Sequence, residues 1–509
     1  MSGSDLAADV EKHPVNRYYE DHSGAVPGET FEYGDSWYAR MQRFAGKLNV
    51  EQRGIERRIN ILRLFKWLAA NMVVTSFAIG VLGQSVFYCG FVDGILTVLF
   101  FNLLGVLTVC FFSIFGAEYG LRQMVVSRYW FGWWGVKLNP TVALFNVLAC
   151  IGWSAANSIV GAQLIVAVNS DVPGAVGIVI IAICTLVITF FGYKVVHAYE
   201  FWSWIPTFII FMIVLGVFAH SGDFYNVPWE VGTAEMGSVL SFGATVYGFA
   251  TGWTSYAADY TVYQPSNRSR FWIFFSTAVG LLFPLLFVEM LGVAVMTATT
   301  INGGDNKYAA GYAESGTGGL LGAVLFGPLG GFGKFCVVIL ALSIIANNCP
   351  NIYSVSLTLM VLARWTRKVP RFIYTIIATG VYIAIAIPGY SHYETVLTNF
   401  MDFIGYWLAI YEGVAITDHF VFKRGFGGYN PEIYDQPDKL PPGIAAVFAF
   451  CCGVAGMVTG MSQTWWVGPI ALHAGEAPFG GDVGFELGFA FAAVGYLITR
   501  PIEIRYFGR

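Results

Sequence analysis

Two aromatic–amide groupings in this sequence have the residue types and spacing to bind a ligand. In "CIGWSAANSIVGAQ" (150–163), Trp153 and Asn157 stand four apart, with Ser154, Ser158 and Gln163 close by. On a helix this spacing puts the indole and the amide on one face, about 6 Å apart along the axis. In "IIANNCPNIYSVS" (344–356), Asn347, Asn348, Pro350 and Asn351 interrupt an apolar run. Asn347 and Asn351 share a helical face, whereas Asn348 is turned about 100° away. Pro350 removes a backbone donor and frees a carbonyl, which neighbouring polar groups must then satisfy. A third place is "SFGATVYGFATGWTSYAADY" (241–260), where Gly252 precedes Trp253. Indole faces stack on flat rings, and a carboxamide both donates and accepts hydrogen bonds. No lysine or arginine lies inside these apolar segments, so a flat, neutral heterocycle suits them better than a carboxylate or phosphate. A lone Trp or Asn in an apolar segment ordinarily packs or glues helices together. Its recurrence beside polar or glycine-rich breaks is what favours a site.

Titratable groups in or beside apolar segments are Glu200, Asp259, Glu289, Asp402 and Glu412. Ionisable residues at such positions are costly and mark function, with a paired structural charge as the alternative. That alternative is strongest for Glu200 and Asp259, which fall near segment ends. The eight cysteines form no CxxC or Cys/His spacing and read as small hydrophobes. The seven histidines are scattered over tails, loops and segment ends. There is no HExxH, GxSxG or GxxxxGK[ST], so neither a metal nor a cofactor is expected, and an enzyme is disfavoured. Nucleic acid is not an expected partner. A non-transporting sensor is disfavoured too, because the tails are short for a signalling domain.

The elements that must carry these residues are membrane helices. The chain has 509 residues, 56% hydrophobic and 12% charged, against about 25% charged in ordinary globular chains. Its net charge of −4 says little about partners. The polar first sixty-odd residues carry no apolar core or cleavage site of a signal peptide. From residue 66 the hydropathy predicts twelve spans, each long enough to cross roughly 30 Å of hydrocarbon. They run 67–89, 91–115, 141–168, 173–193, 199–218, 237–260, 271–297, 333–363, 372–389, 396–420, 443–461 and 480–499. The glycine-rich stretch before the eighth could form a separate short helix. These lengths fit helices and not the ten-residue alternating strands of a barrel.

Basic residues set the expected orientation. With the N-terminus inside, the inner loops hold Arg122, Arg128, Lys137, Lys194, Arg268, Arg270, Arg364, Arg367, Lys368, Arg371, Lys423, Arg424 and Lys439. The outer loops hold only Lys307 and Lys334. This asymmetry places both termini in the cytoplasm. Spans 1 and 6 are both rich in small and polar residues: Asn71, Thr75, Ser76, Gly80, Gly83 and Gln84 in one, Gly243, Gly248 and Gly252 in the other. Interrupted helices opening two successive sets of five spans point to an inverted-repeat transporter with a site near the midplane.

With these motifs assembled, the chain resembles the fungal purine–cytosine permeases, a branch of the nucleobase–cation symporter family one. The resemblance rests on "GWSAANSIVGAQ", "GFATGWTSYAADYTVYQPSNRS", "ANNCPNIYS", "NFMDFIGYWLAIYEGVAITDHF" and the loop "GAEYGLRQMVVSRYWFG". It implies an all-α polytopic fold, a five-plus-five inverted repeat of the LeuT type with two added C-terminal helices. The corresponding division is a tail 1–65, a transport core 66–420, a loop 421–442, two further spans in 443–499 and a tail 500–509. The resemblance further implies that Trp153 and Trp253 sandwich the base, that Asn157 pairs with its polar edge, and that Asn347 adds a hydrogen bond. Asn348, Pro350 and Asn351 would shape a break in span 8, Ser76 would line the pocket, and Tyr406 and Trp407 would lie on a gating helix. Bacterial sodium-coupled relatives carry a Ser/Thr pair before the span 8 asparagine, where this chain has Ala341 and Leu342. A proton is therefore the expected coupling ion, with Glu200, Glu289 and Asp259 as candidate carriers. The expected activity is uptake of cytosine, adenine, guanine and hypoxanthine across the plasma membrane. Carriage of vitamin B6, thiamine, uracil or allantoin by the same fold stays open.

Overall fold

The structure is a computed structural model that describes residues 64–509 apart from 138–140, 192, 230, 263, 266, 363–365, 367 and 368. The expected N-terminal tail lies outside the described residues. The described chain is almost wholly helical. The first span is two pieces, α1 (Leu64–Asn71) and α2 (Val74–Ser85), separated where Val73 turns extended at φ −137° and ψ 160°. A long α3 (Phe91–Tyr119) leads through the short α4 (Gln123–Val126) and α5 (Arg128–Lys137) to α6 (Thr141–Val168). Then come α7 (Gly174–Phe191) and α8 (Tyr193–Ser221). The sixth span is again broken: α9 (Thr233–Thr251) stops before Gly252, a single 3-10 turn covers Thr254–Tyr256, and α10 (Ala257–Thr261) resumes. After it come α11 (Arg270–Met296), α12 (Lys307–Leu362), α13 (Arg371–Gly389), α14 (Tyr393–Thr417), α15 (Ile444–Gly460) and α16 (Gly484–Phe507).

Among the described residues, eight helical stretches are long and apolar enough to cross a membrane, and α2 and α15 are shorter apolar helices. The expected segment 141–168 coincides with α6, and 372–389 differs from α13 by one residue. One expectation agrees with the structure and one needs correction. The glycine-rich stretch does form helix, interrupted at Ser315–Gly316 and at Gly330 within α12. Span 8, by contrast, does not break at Pro350: backbone angles stay helical from Asn347 through Asn351. Proline fixes φ near its helical value and costs one donor, so a helix with polar neighbours can run through it. A second departure from pure helix is a small hairpin between α15 and α16, where Ser462–Gln463 pairs antiparallel with Trp466–Val467.

Helix α12 lies along α6, α11 packs on α2 and α3, α9 packs on α3 and α14, and α15 and α16 pair with one another beside α14. Loop 421–442 is docked on the α4–α5 region. Tyr129 Oη donates to the Asn430 carbonyl at 2.7 Å, Trp130 Nε1 donates to Tyr429 Oη at 2.9 Å, and Arg128 reaches Asp435 at 3.2 Å. Together these contacts hold α6, α12 and the two broken spans around one small volume.

Candidate binding site at the helix breaks

Breaking a helix in an apolar interior frees backbone groups that something must satisfy. At the α1–α2 break, Asn347 Nδ2 donates to the Ala70 carbonyl at 2.5 Å and Ser76 Oγ donates to the Asn71 carbonyl at 2.7 Å. Ser343 Oγ accepts from the Val74 amide at 3.4 Å. Ala341 and Leu342 bring no side-chain oxygen, but their neighbour Ser343 does, and its own proton goes to the Leu340 carbonyl at 2.6 Å. At the α9–α10 break, the Thr251 and Thr254 hydroxyls lie 3.1 Å apart, and each lies within 3.1 Å of Thr108 on α3.

Between the two breaks is a cavity lined by Trp153, Phe249, Gly252, Trp253, Tyr256, Asn347 and Asn351. In this conformation it is tightly closed, with about 10 Å³ free, roughly the room of one water molecule, so a bound ring requires its walls to part. Its walls are aromatic and its polar edge is amide. Trp153 is set by edge contacts to Phe249 at 5.0 Å and Phe400 at 5.8 Å between ring centroids. Trp253 meets Trp67 edge-on at 5.8 Å, and its Nε1 donates to Asn71 Oδ1 at 3.0 Å, tying one wall to the α1–α2 break. Glycine at 252 keeps this approach close, since a Cβ there would stand 3.2 Å from Trp153 Cζ2.

The asparagines divide by helical phase. Asn347 and Asn351 face the cavity, and Asn351 Oδ1 accepts from Tyr256 Oη at 3.0 Å. Asn348 turns toward α6, its Nδ2 donating to Ser158 Oγ at 3.2 Å. Asn157 stands behind the wall. Its Nδ2 donates to Asn347 Oδ1 at 2.7 Å and Asn348 Oδ1 at 2.8 Å, and its Oδ1 accepts from Thr75 Oγ1 at 2.7 Å. Ser76 also sits off the wall, holding the break.

Tyr406 and Trp407 are buried on α14 away from the cavity wall; Tyr406 Oη donates to Asp482, and Trp407 stacks on Phe145 at 5.9 Å. Pro350 lies inside α12 beside the asparagines. Phe249 and Tyr256 are wall residues that sequence reading missed; the aromatic three places beyond Trp253 was the available signal.

The acidic residues have distinct surroundings. Asp259 accepts from the Gln123 amide at 2.8 Å and has Arg122 at 3.8 Å, the arrangement of a paired charge. Glu412 is fully supplied: Thr251 Oγ1 donates to Oε1 at 2.5 Å and Tyr247 Oη to Oε2 at 2.7 Å. Asp402 accepts from Thr245 Oγ1 at 2.8 Å and from Gln463 Nε2 of the hairpin at 2.9 Å. Glu289 is wholly buried on α11 and accepts from Asn102 Nδ2 at 2.6 Å. The Glu200 side chain lies outside the described residues. Among the described residues no group of His, Cys, Asp and Glu could hold a metal ion.

Comparison with known proteins extends this geometry. Residues 55–468 match a family described as permeases for cytosine/purines, uracil, thiamine and allantoin. The purine-cytosine permease fcyB of Emericella nidulans is 68% identical, over 98% of this chain and 99% of that one. The purine-cytosine permease FCY21 of Saccharomyces cerevisiae is 42% identical, over 99% of this chain and 95% of that one. Among solved structures, Mhp1, a nucleobase-cation-symport-1 family transporter in a closed conformation with bromovinylhydantoin bound, superposes with a TM-score of 0.63. That alignment covers 90% of this chain and 96% of Mhp1 at 16% identity, a likeness of fold.

Proposed function

The chain belongs to the family of permeases for cytosine/purines, uracil, thiamine and allantoin, and on that premise we propose that it is a proton-coupled nucleobase symporter. As a member of a permease family it is a multi-pass membrane transporter and not an enzyme. In this reading it takes up cytosine, adenine, guanine and hypoxanthine across the plasma membrane by alternating access. Its twelve spans form a five-plus-five inverted repeat with two added helices, and both termini face the cytoplasm. The base stacks between Trp153 and Trp253 and presents its edge to Asn347 and Asn351. Asn157 sets the Asn347 amide from behind and Asn348 braces α12 on α6. Gly252 lets the two indoles approach, and Ser76 stabilises the broken first span. Pro350 limits backbone pairing beside the site, and Tyr406 and Trp407 belong to the moving α14.

The observation that carries the reading is the cavity itself: one indole on α6 and one at the α9–α10 break, with neutral amides as its polar edge and no cation among its lining residues. Such a site rewards a flat, uncharged ring with donors and acceptors on its rim. Proton rather than sodium coupling is supported by Ala341 and Leu342, and Glu200, Glu289 and Asp259 are its candidate carriers. The test is uptake of labelled cytosine, adenine, guanine, hypoxanthine, uracil and pyridoxine by cells lacking their own permeases. Competition by adenine and hypoxanthine for cytosine uptake is expected. Pyridoxine or uracil uptake with no purine uptake would overturn the substrate assignment.

A further inference from the structure

Hydrogen-bond partners separate the buried carboxyls. Each Glu412 oxygen has its own donor, so an ionised carboxylate there is satisfied by its neighbours. Glu289 differs. Its Oε2 accepts from Asn102 Nδ2 at 2.6 Å, and its Oε1 has no partner, although the residue is 0% exposed. Asn102, also 0% exposed, leaves its own Oδ1 without a partner. The amide cannot simply be turned over, because its Nδ2 also donates to the Val98 carbonyl at 2.8 Å, where an oxygen would be repelled. Two groups already joined by one hydrogen bond thus each leave an acceptor unmet. One proton on Glu289 supplies the missing donor and completes an acid–amide pair. An ionised Glu289 would keep a single donor at a depth where an under-supplied charge is very costly.

We propose that Glu289, paired as a neutral acid with Asn102, is the site that carries the co-transported proton. This rests on the proposed symport activity. The proton arrives from water on one side and leaves to water on the other, with no other bond made or broken. Position gives it a route to the substrate. A Cβ at Gly80 of α2 would overlap the Glu289 carbonyl, and one at Gly292 of α11 would overlap the Phe77 carbonyl, so the two backbones touch at this residue. Five residues earlier on α2, Thr75 donates to Asn157 behind the cavity. A movement of α2 therefore disturbs both ends at once. Among the described residues of the neighbouring helices, no other unpaired charge faces Glu289. Helix α2 has no titratable residue, and α1 offers none among its described side chains. On α3, Asp93 accepts from the Gly90 amide, Cys110 lies eight residues beyond Asn102, and Glu118 pairs with Arg270 at the far end. Helix α8 packs Phe208 against α11 through Phe283 and Phe287.

The experiment uses the full chain in proteoliposomes with labelled cytosine and an imposed inward proton gradient. Glu289→Gln keeps a donor and an acceptor for Asn102 but cannot release a proton. It should lose gradient-driven accumulation at least ten-fold, and its cytosine affinity should no longer change with pH. An E289Q protein that accumulates cytosine with the wild-type pH response overturns the inference and leaves symport standing. A wild type indifferent to the gradient overturns both. Should E289Q fail to fold, infrared spectra of the wild type and Asn102→Ala decide. A carboxylic-acid carbonyl band that shifts in N102A supports the pair, and its absence from the wild type overturns it.

Discussion

Asn157 Nδ2 donates to Asn347 Oδ1 at 2.7 Å, so the amide that faces the cavity is oriented by one that does not. Asn347 in turn donates to the Ala70 carbonyl at the end of α1. A chain of amides thus joins α6, α12 and the first helix break, and the geometry of the substrate edge depends on all three.

Asn157→Ala should lower cytosine affinity by about ten- to a hundred-fold, the equivalent of roughly 1–3 kcal/mol for the lost and unpaired hydrogen bonds. Because it acts through Asn347, the double variant with Asn347→Ala should lose less than the sum of the single losses. Competition binding on cells with measured surface abundance checks this. Normal affinity in surface-expressed N157A would remove Asn157 from the site.

Trp153→Phe should retain partial uptake, since a smaller ring keeps some stacking. Gly252→Ala should be more damaging than its size suggests, because the new methyl would press on Trp153 at 3.2 Å and narrow the cavity. The ratio of guanine to cytosine affinity measures this directly: the bulkier base should suffer the greater loss in G252A.

Uptake should rise as external pH falls and collapse on adding a protonophore. Replacing sodium by choline should leave it nearly unchanged. Strict dependence on sodium would mean that Ser343 or backbone carbonyls at the α1–α2 break hold that ion in place of the hydroxyls absent at Ala341 and Leu342.

Tags on both termini should be shielded from protease added outside intact cells, whereas the segment around Asp305 and Lys307 should be cut when given a cleavage site. External cleavage of either tag contradicts the twelve-span orientation drawn from the basic residues.

Much of the architecture was legible because lipid permits few solutions. A span must be a helix of a certain length, and hydropathy fixed 141–168 as α6 to the residue. The breaks in spans 1 and 6 were visible as small and polar residues where a plain anchor needs none. Helical phase alone separated Asn347 and Asn351 from Asn348. Tertiary pairing was not legible. Asn102 and Glu289 are 187 positions apart, and nothing local to either names the other. Pro350 misled for a physical reason: proline signals a possible break, but its φ is helical, and surrounding amides decide whether the helix continues. The hairpin at 462–467 was hidden because its strands are too short to show a two-residue period.

The hairpin and α16 together fasten α14 at two well-separated points. Near one, Gln463 donates to Asp402 and Tyr406 donates to Asp482. Near the other, Asp418 accepts from Tyr496 at 2.9 Å and has Arg500 at 3.7 Å. Asp402 and Asp418 are sixteen residues apart, about 24 Å of helix. A rod clamped at both ends and packed on α16 between them cannot tilt without dragging its mount along. Between those points Gly413 packs closely on the Phe489 backbone of α16, and Glu412 beside it grips Thr251 at the α9 break. A shift of α14 carried together with its mount would therefore be delivered to Thr251, the residue next to Gly252 and Trp253, which ties the two terminal helices to the substrate wall.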